Sequence, residues 1–380
     1  MNLKVGKKRP KVLLSGYFGF DNAGDEAILY SMIHCLRKLK PELRITALSG
    51  NPKKTRELYE VNAVNRWNPI SVTLALLSCR LFISGGGSLL QDVTSSKSLS
   101  YYLAVIRLAA FLKKRIMIYS QGIGPLTNEK NRAKVSGILN RCEVITVRDE
   151  SSAKLLKELG VRQDVQQVCD PVMALGSEDI DEKEIAGDLR ALGIPDENGK
   201  EQKPLLLAII RNWGENKHIM PIAELLDMQA RDGWNILLVP AQYPGDMEAI
   251  NRIAESMKEQ VLIIDKNLTA RRFLALTAFA DKVLSMRLHG LICAMAVGRP
   301  MLGLSYDPKV DAFMKQAGLE RYCLPYDGFS KEMAGGLMRE LDFLPPEFKQ
   351  AQETRRREMQ KQAWATAEIA AGMLDTAKKR

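Results

Sequence analysis

The sequence predicts an α/β protein with two consecutive Rossmann-like domains facing a cleft and a C-terminal helical tail. Three observations predict it. Short apolar runs alternate with helix-spaced apolar patterns through most of the 380 residues. A polar, charged stretch over 176–203, containing Pro and Gly, interrupts that alternation once. Several apolar runs end in glycine-rich turns, as expected at the carboxyl edge of a parallel sheet. The expected divisions are a domain over 1–175, a linker over 176–203, a domain over 204–345 and a tail over 346–380.

In the first half, the candidate strands are 11–18, 44–49, 81–84, 115–120, 143–147 and 165–169. Segments 23–40, 98–112, 131–140 and 151–159 between them carry apolar residues at helical spacing. Continuously apolar strands separated by helices imply a parallel sheet covered on both faces. The second half repeats the pattern, with strands at 205–210, 235–240, 261–264, 282–286 and 301–305. Its helices are expected at 220–232, 246–260, 270–280 and 291–297. From Pro346 the chain is rich in Ala, Gln, Glu and charge, which favours helix.

A composition of 46% hydrophobic and 26% charged residues excludes a disordered chain, a collagen-like fibre and a small disulfide scaffold. The net charge of +10 points to anionic partners. The basic residues are dispersed, and no helix-turn-helix, RNP or zinc pattern is present, so no nucleic-acid partner is expected. The six cysteines (35, 79, 142, 169, 293 and 323) form no CxxC pair, so neither a metal site nor a disulfide framework is expected. The basic start MNLKVGKKRPK leads into an apolar run too short and glycine-broken for a signal peptide. Arg80 and Arg107 interrupt the longest apolar stretches, which fall short of the ~18 residues of a membrane span. A cytoplasmic protein is expected, with peripheral contact at the inner membrane face left open. The stretch 101–112 reads as a buried helix in preference to a membrane-leaning face.

The motifs lie at strand ends. The first strand runs into Ser15-Gly16-Tyr17-Phe18-Gly19-Phe20-Asp21-Asn22-Ala23-Gly24-Asp25-Glu26. This is not GxGxxG, and the second strand ends in Ser49-Gly50-Asn51 without an acidic residue, so the dinucleotide fingerprint is absent. Asp25 either complements the helix dipole or handles a hydroxyl or proton. The third candidate strand ends in Ser84-Gly85-Gly86-Gly87-Ser88, which is either a structural turn or a backbone platform for a ligand. The next ends in Ser120-Gln121-Gly122-Ile123-Gly124-Pro125. Arg148, in Val147-Arg148-Asp149-Glu150, either pairs with Asp149 or Glu150 at the surface or clamps a carboxylate or phosphate. In the second half, Arg211 follows the first strand. Ser285-Met286-Arg287-Leu288-His289-Gly290 joins a strand to a helix, and Ser305-Tyr306-Asp307-Pro308-Lys309 follows the last strand. Of the three histidines, His34 lies in a helical pattern and His218 in a polar loop. His289 is the best placed for chemistry.

Taken together, SGYFGFDNAGDEAIL, FISGGGSLLQD, SQGIGPL, VRDE, SMRLHG and SYDPK resemble the polysaccharide pyruvyl transferases. The nearest resemblance is to the CsaB type, which pyruvylates a bacterial secondary cell-wall polymer. It covers roughly residues 10–330 and implies a two-lobed fold like that of GT-B glycosyltransferases. It also implies pyruvyl transfer from phosphoenolpyruvate (PEP) to a sugar. For the CsaB type the acceptor is N-acetylmannosamine on a lipid-diphosphate-linked precursor, the product a 4,6-ketal that anchors S-layer proteins. The resemblance assigns essential roles to Asp25, Arg148, His289 and Lys309.

The chemistry fits these residues. PEP carries a carboxylate and a phosphate, so its site needs convergent cations, for which Arg148, Arg211, Arg287 and Lys309 are candidates. Asn22, Ser305 and the backbone of Gly85, Gly86 and Gly87 complete the expected substrate-binding set. Breaking C2–O rather than P–O demands no metal clamp, and no cofactor beyond the co-substrate PEP is expected. Imidazole, titrating near ~6.5 as a class, suits His289 for acid–base work, with Asp25 as base toward the acceptor hydroxyl. The other reading is a GT-B glycosyltransferase with a nucleotide-sugar donor.

Overall fold

The computed structural model describes residues 10–93, 96–181, 183–194 and 203–375. In chain order the elements begin β1 (Lys11–Ser15), α1 (Ala23–Leu39), β2 (Arg44–Ser49), α2 (Pro52–Tyr59), β3 (Asn62–Asn65) and α3 (Pro69–Ser78). They continue with β4 (Leu81–Gly85), α4 (Ser96–Phe111), β5 (Arg115–Gln121), α5 (Glu129–Leu139), β6 (Val144–Val147), α6 (Glu150–Glu158) and β7 (Val165–Gln167). Then come α7 (Lys183–Ala191), β8 (Leu205–Ile209), α8 (Ile219–Arg231), β9 (Asn235–Leu238), α9 (Met247–Ser256), β10 (Leu262–Ile263) and α10 (Ala270–Phe279). The last are β11 (Lys282–Ser285), α11 (Leu288–Ala296), β12 (Met301–Ser305), α12 (Pro308–Gln316), β13 (Cys323–Pro325), α13 (Lys331–Glu340) and α14 (Pro346–Asp375).

The chain divides into two units. One takes residues through Phe20, Ile28–Pro171 and everything from Lys361; the other takes Asp21–Ala27 and Val172–Gln360. Each is built on one sheet. The first has seven strands in the order β3-β2-β1-β4-β5-β6-β7, the second six in the order β10-β9-β8-β11-β12-β13. All pairings within both sheets are parallel. The central strands are apolar and buried along their length because helices cover both faces. The fold class is therefore as expected, with two parallel-sheet α/β units and a helical tail.

Two strands escaped the sequence reading. β3 is Asn-Ala-Val-Asn, polar at both ends, and β13 is only Cys-Leu-Pro, so neither gives an apolar run. β3 holds its edge by pairing Ala63 and Val64 with Ala47 and Leu48. Within the stretch 176–203, α7 buries Ile185 and Leu189, and its Asp188 pairs with Lys266 and Arg272. Residues 182 and 195–202 of that stretch lie outside the described residues, as do the basic start (1–9) and the last five positions of the tail (376–380).

The tail helix α14 serves both units in turn. Its early part anchors to the second unit, where Gln352 donates to Gly318 O and Arg356 to Ala296 O. From Lys361 it packs on the first, burying Ala363, Ala367, Ala370 and Leu374 as one helical stripe. Arg115 donates to Met373 O there, and Lys40 pairs with Asp375.

All six cysteines are free thiols, and all but Cys323 are buried. Burial pushes the Cys79 thiol up to about 11 and that of Cys142 to about 12. Burial, reinforced by the adjacent Asp311 carboxylate, raises Cys323 to about 12. A thiol titration with an aromatic disulfide near pH 8 should therefore give slow modification of the native protein and six rapid equivalents once it is unfolded.

Candidate active site

In the second unit, β8, β11 and β12 are adjacent, and β11 pairs Ser285 with both Ile209 and Gly303. The residues just past these strands therefore emerge side by side at one carboxyl edge. Arg211 follows β8. Its guanidinium lies 4.8 Å from the Trp213 ring and 4.7 Å from that of Tyr306, and it donates to the Tyr306 hydroxyl at 2.6 Å. This stacking holds a cation without neutralising it with a carboxylate. His218 lies behind it, fully buried at the start of α8, with Nε2 3.0 Å from Arg211 O. Desolvation lowers its pKa from the ordinary imidazole value, so it stays neutral near pH 7. The expected polar-loop histidine is thus a structural one, because α8 folds it under the Arg211 turn.

Arg287 is the residue before α11, and His289 lies in that helix's first turn. Ser285 fixes the approach, its Oγ donating to Arg287 O at 2.8 Å and accepting from Arg287 N at 3.0 Å. One Arg287 nitrogen donates to Asp246, a carboxylate only 1% exposed. The other Asp246 oxygen accepts from the backbone N–H of Ala241 (3.1 Å) and Gln242 (2.9 Å). The same two residues receive the first turn of α1. Ala23 N–H donates to Ala241 O at 2.8 Å, and Asn22 and Gln242 form an antiparallel bridge.

That bridge brings the two most informative motifs into contact. Gly24 lies against the His289 ring so closely that a Cβ there would overlap Nδ1 and Cγ. Glycine is required at this position because the imidazole takes the space of a side chain. Asp25 is the next residue. The side-chain oxygen of Asn22 accepts from Gly24 N at 3.0 Å and Asp25 N at 3.2 Å, so Asn22 caps the turn that presents Asp25. At the β12 edge, Ser305 Oγ donates to Asp311 at 2.7 Å and Asp307 caps α12. Lys309 Nζ lies 4.0 Å from the Asp307 carboxylate.

Arg148 and the triple glycine belong to the first unit. Arg148 is 6% exposed, donating to Asp170 at 2.9 Å and to Ser88 Oγ at 2.9 Å. Arg148 is therefore buried and not at the surface, and it pairs with Asp149 as well as Asp170. The Asp149 carboxylate lies 3.8 Å from the guanidinium while also capping α6 by accepting from Ser152 N. Gly86 and Gly87 have φ of +73° and +68°, a region open to glycine, and Gly87 O accepts from Gly122 N at 2.9 Å. Ser88 follows directly, so the Gly85–Gly87 turn delivers the hydroxyl that holds Arg148. β1, β4 and β5, whose glycine turns the sequence marked, are neighbours in the sheet.

Sequence reasoning missed Asp246 and Asp170. Each is a buried carboxylate holding one of the site arginines. Asp246 looks locally like any acidic helix start, and Asp170 follows a short edge strand. Only tertiary proximity distinguishes them. Among the described residues no group of three or more His, Cys, Asp or Glu side chains is placed to hold a metal ion, and no helix is long and apolar enough to cross a membrane.

Comparison with known proteins adds three findings. The family model for polysaccharide pyruvyl transferase matches residues 22–308. No curated protein sequence matches the chain. Among solved structures, the UDP-GlcNAc 2-epimerase of Neisseria meningitidis bound to UDP-GlcNAc is similar, with a TM-score of 0.60 at 14% identity over 96% of this chain and 99% of that one. S. aureus MnaA with UDP gives 0.59 at 13% identity, covering 95% of each chain. A glycosyltransferase from Rickettsia africae gives 0.58 at 11% identity over 97% of this chain and 100% of that one. At such identities the likeness is one of fold, and it is GT-B-like.

Proposed function

We propose, from the premise that the chain belongs to the polysaccharide pyruvyl transferase family, that it transfers the pyruvyl group of PEP to two hydroxyls of an acceptor sugar, forming a ketal and releasing phosphate. The observation that carries this is the seating of the Gly24–Asp25 turn against the His289 ring, beside Arg287. A carboxylate and an imidazole, distant in sequence, are held at one strand edge together with cations suited to an anionic substrate.

An acid delivers a proton to C3 of PEP, turning the methylene into a methyl group and leaving C2 electrophilic. A sugar hydroxyl attacks C2 and loses its proton to a base. The C2–O bond to phosphate breaks, and the phosphate leaves with its bridging oxygen. The second hydroxyl then closes on C2 and gives up its proton. His289 serves as acid–base and Asp25 as base toward the acceptor hydroxyl. Arg287, steadied by Asp246, and Arg211, steadied by its two rings, bind the carboxylate and phosphate of PEP, with Lys309 as a further cation. Asn22 and Ser305 act at one remove, by fixing the turns that carry Asp25 and Lys309.

In its finer form the reading is CsaB-like. The acceptor is N-acetylmannosamine on a lipid-diphosphate-linked wall-polymer precursor at the cytoplasmic membrane face, and the product is a 4,6-ketal. The test is phosphate release from PEP with and without such an acceptor, followed by mass spectrometry of the sugar. Acceptor-dependent phosphate, with a sugar heavier by one pyruvate ketal, is expected. If phosphate is not released and a nucleotide sugar is consumed instead, the chain is a glycosyltransferase, a reading favoured by the UDP-bound proteins that share its fold.

A further inference from the structure

Helices α3 and α4 lie side by side on one face of the first sheet and share a core that includes Val72, Leu76, Tyr102 and Ile106. At one end the Trp67 and Tyr101 rings are 5.2 Å apart; at the other, Lys114 Nζ donates to Leu77 O and Cys79 O. Their outer faces differ in character. Trp67 (60% exposed), Ile70 (72%), Leu74 (60%) and Leu77 (53%) form one stripe along α3, at spacings of three and four residues. Phe111 (79%) adds to it from the end of α4. The exposed side of α4 also carries Lys97 and Arg107, and Lys113 is exposed just past it, while Arg80, past α3, donates to Asp375 O of the tail helix. Between residues 61 and 114 the sequence holds six Lys or Arg and one acidic residue, Asp92. That carboxylate is taken up by Thr127, Asn128 and Asn131.

Single exposed apolar residues need no explanation, but five large ones on one face do. We infer that this face docks on an anionic lipid bilayer, with the α3 stripe in the interfacial region and the basic residues against the headgroups. The pattern is that of an interfacial helix, apolar on one side and edged with Lys and Arg. α3 has ten residues and no charge between Pro69 and Ser78, a length that suits lying in the interface rather than crossing it. Trp67 sits at the stripe's end, where an amphipathic ring favours the boundary. Its neighbour Arg66 is buried under it, stacked on Trp67, Tyr101 and Phe20, and donates to Gly16 O at 2.8 Å. The stripe therefore starts beside the glycine turn of β1, so a docked bilayer holds that sheet edge near any lipid-borne headgroup. Choosing a bilayer over another cover draws on the lipid-linked acceptor proposed above, and the test separates the two.

The full chain is sedimented at low salt with vesicles of phosphatidylcholine alone and of phosphatidylcholine mixed with phosphatidylglycerol. Light scattering of the same samples without lipid reports the oligomeric state. Binding to the anionic vesicles is expected, accompanied by a blue shift of tryptophan emission and weakened by salt. The variant I70S/L74S, altered only at exposed positions, should bind about tenfold more weakly or less, and R107E/K113E should lose the preference for anionic lipid. Phosphate release with a water-soluble acceptor should be the same in wild type and both variants. If that activity is absent while vesicle binding holds, the functional reading fails and the docking face stands. No vesicle binding by the wild type, or binding unchanged in I70S/L74S, overturns the inference. So does a wild-type dimer that I70S/L74S dissolves, since the face would then join two copies of the chain.

Discussion

His289→Gln is expected to lower acceptor-dependent phosphate release by about a thousandfold, within the span for losing a positioned acid–base group. The KM for PEP should change far less, because the proposed anion contacts come from arginine and lysine. The side chain is only partly buried and sits in the first turn of α11, so the thermal midpoint should move little. Gly24→Ala is the sharper companion. It adds one methyl group, removes no functional group and leaves φ in an ordinary region, yet the methyl overlaps the imidazole. The ring must move, and misplacement of about an ångström costs on the order of a hundredfold in rate. Near-normal turnover in both variants would remove His289 from the chemistry.

Asp246→Ala carries the second large effect. The carboxylate is almost wholly buried and holds Arg287 together with two backbone N–H groups. Its removal strands a cation and two donors at once, and breaking such a pair costs about 3–5 kcal/mol. The Ala241–Gln242 segment that receives the first turn of α1 loosens as well. Asp246→Ala should therefore lower the thermal midpoint, raise the KM for PEP and reduce turnover together. Asp246→Asn keeps one acceptor oxygen and should lose less. Adding Arg287→Met to Asp246→Ala removes the stranded charge, so it should restore part of the stability and none of the activity. Equal stability of the single and double variants would show that the pair does not carry the energy assigned to it.

The fold was legible where burial forces a run of apolar residues. β1, β4, β5, β8 and β11 are central strands, and each shows in the sequence as an apolar run leading into a turn. β3 and β13 were not legible, because an edge strand needs only a few apolar contacts and can be as short as Asn-Ala-Val-Asn. At the candidate site, strand-end glycines and the RLHG turn could be read locally because backbone geometry demands those residue types. The meeting of Gly24 with His289 could not, since it depends on a bridge between Asn22 and Gln242 that no local pattern encodes. The more distant partners of the arginines were hidden for the same reason. Asp149, next to Arg148 in sequence, could be read as a partner, whereas Asp170 reaches the guanidinium from another element. The exposed stripe of α3 was not legible, because apolar residues facing outward leave the same sequence trace as buried ones.

Pyruvyl transfer requires that the bond broken in PEP be C2–O. The most direct measurement follows heavy oxygen placed in the bridging position of PEP during turnover with the acceptor sugar. Pyruvyl transfer places all of the label in the released phosphate and none in the sugar product. Label retained on the three-carbon product, with the phosphoryl group moved to the acceptor, would mean that P–O is the bond cleaved and that the chain is not a pyruvyl transferase.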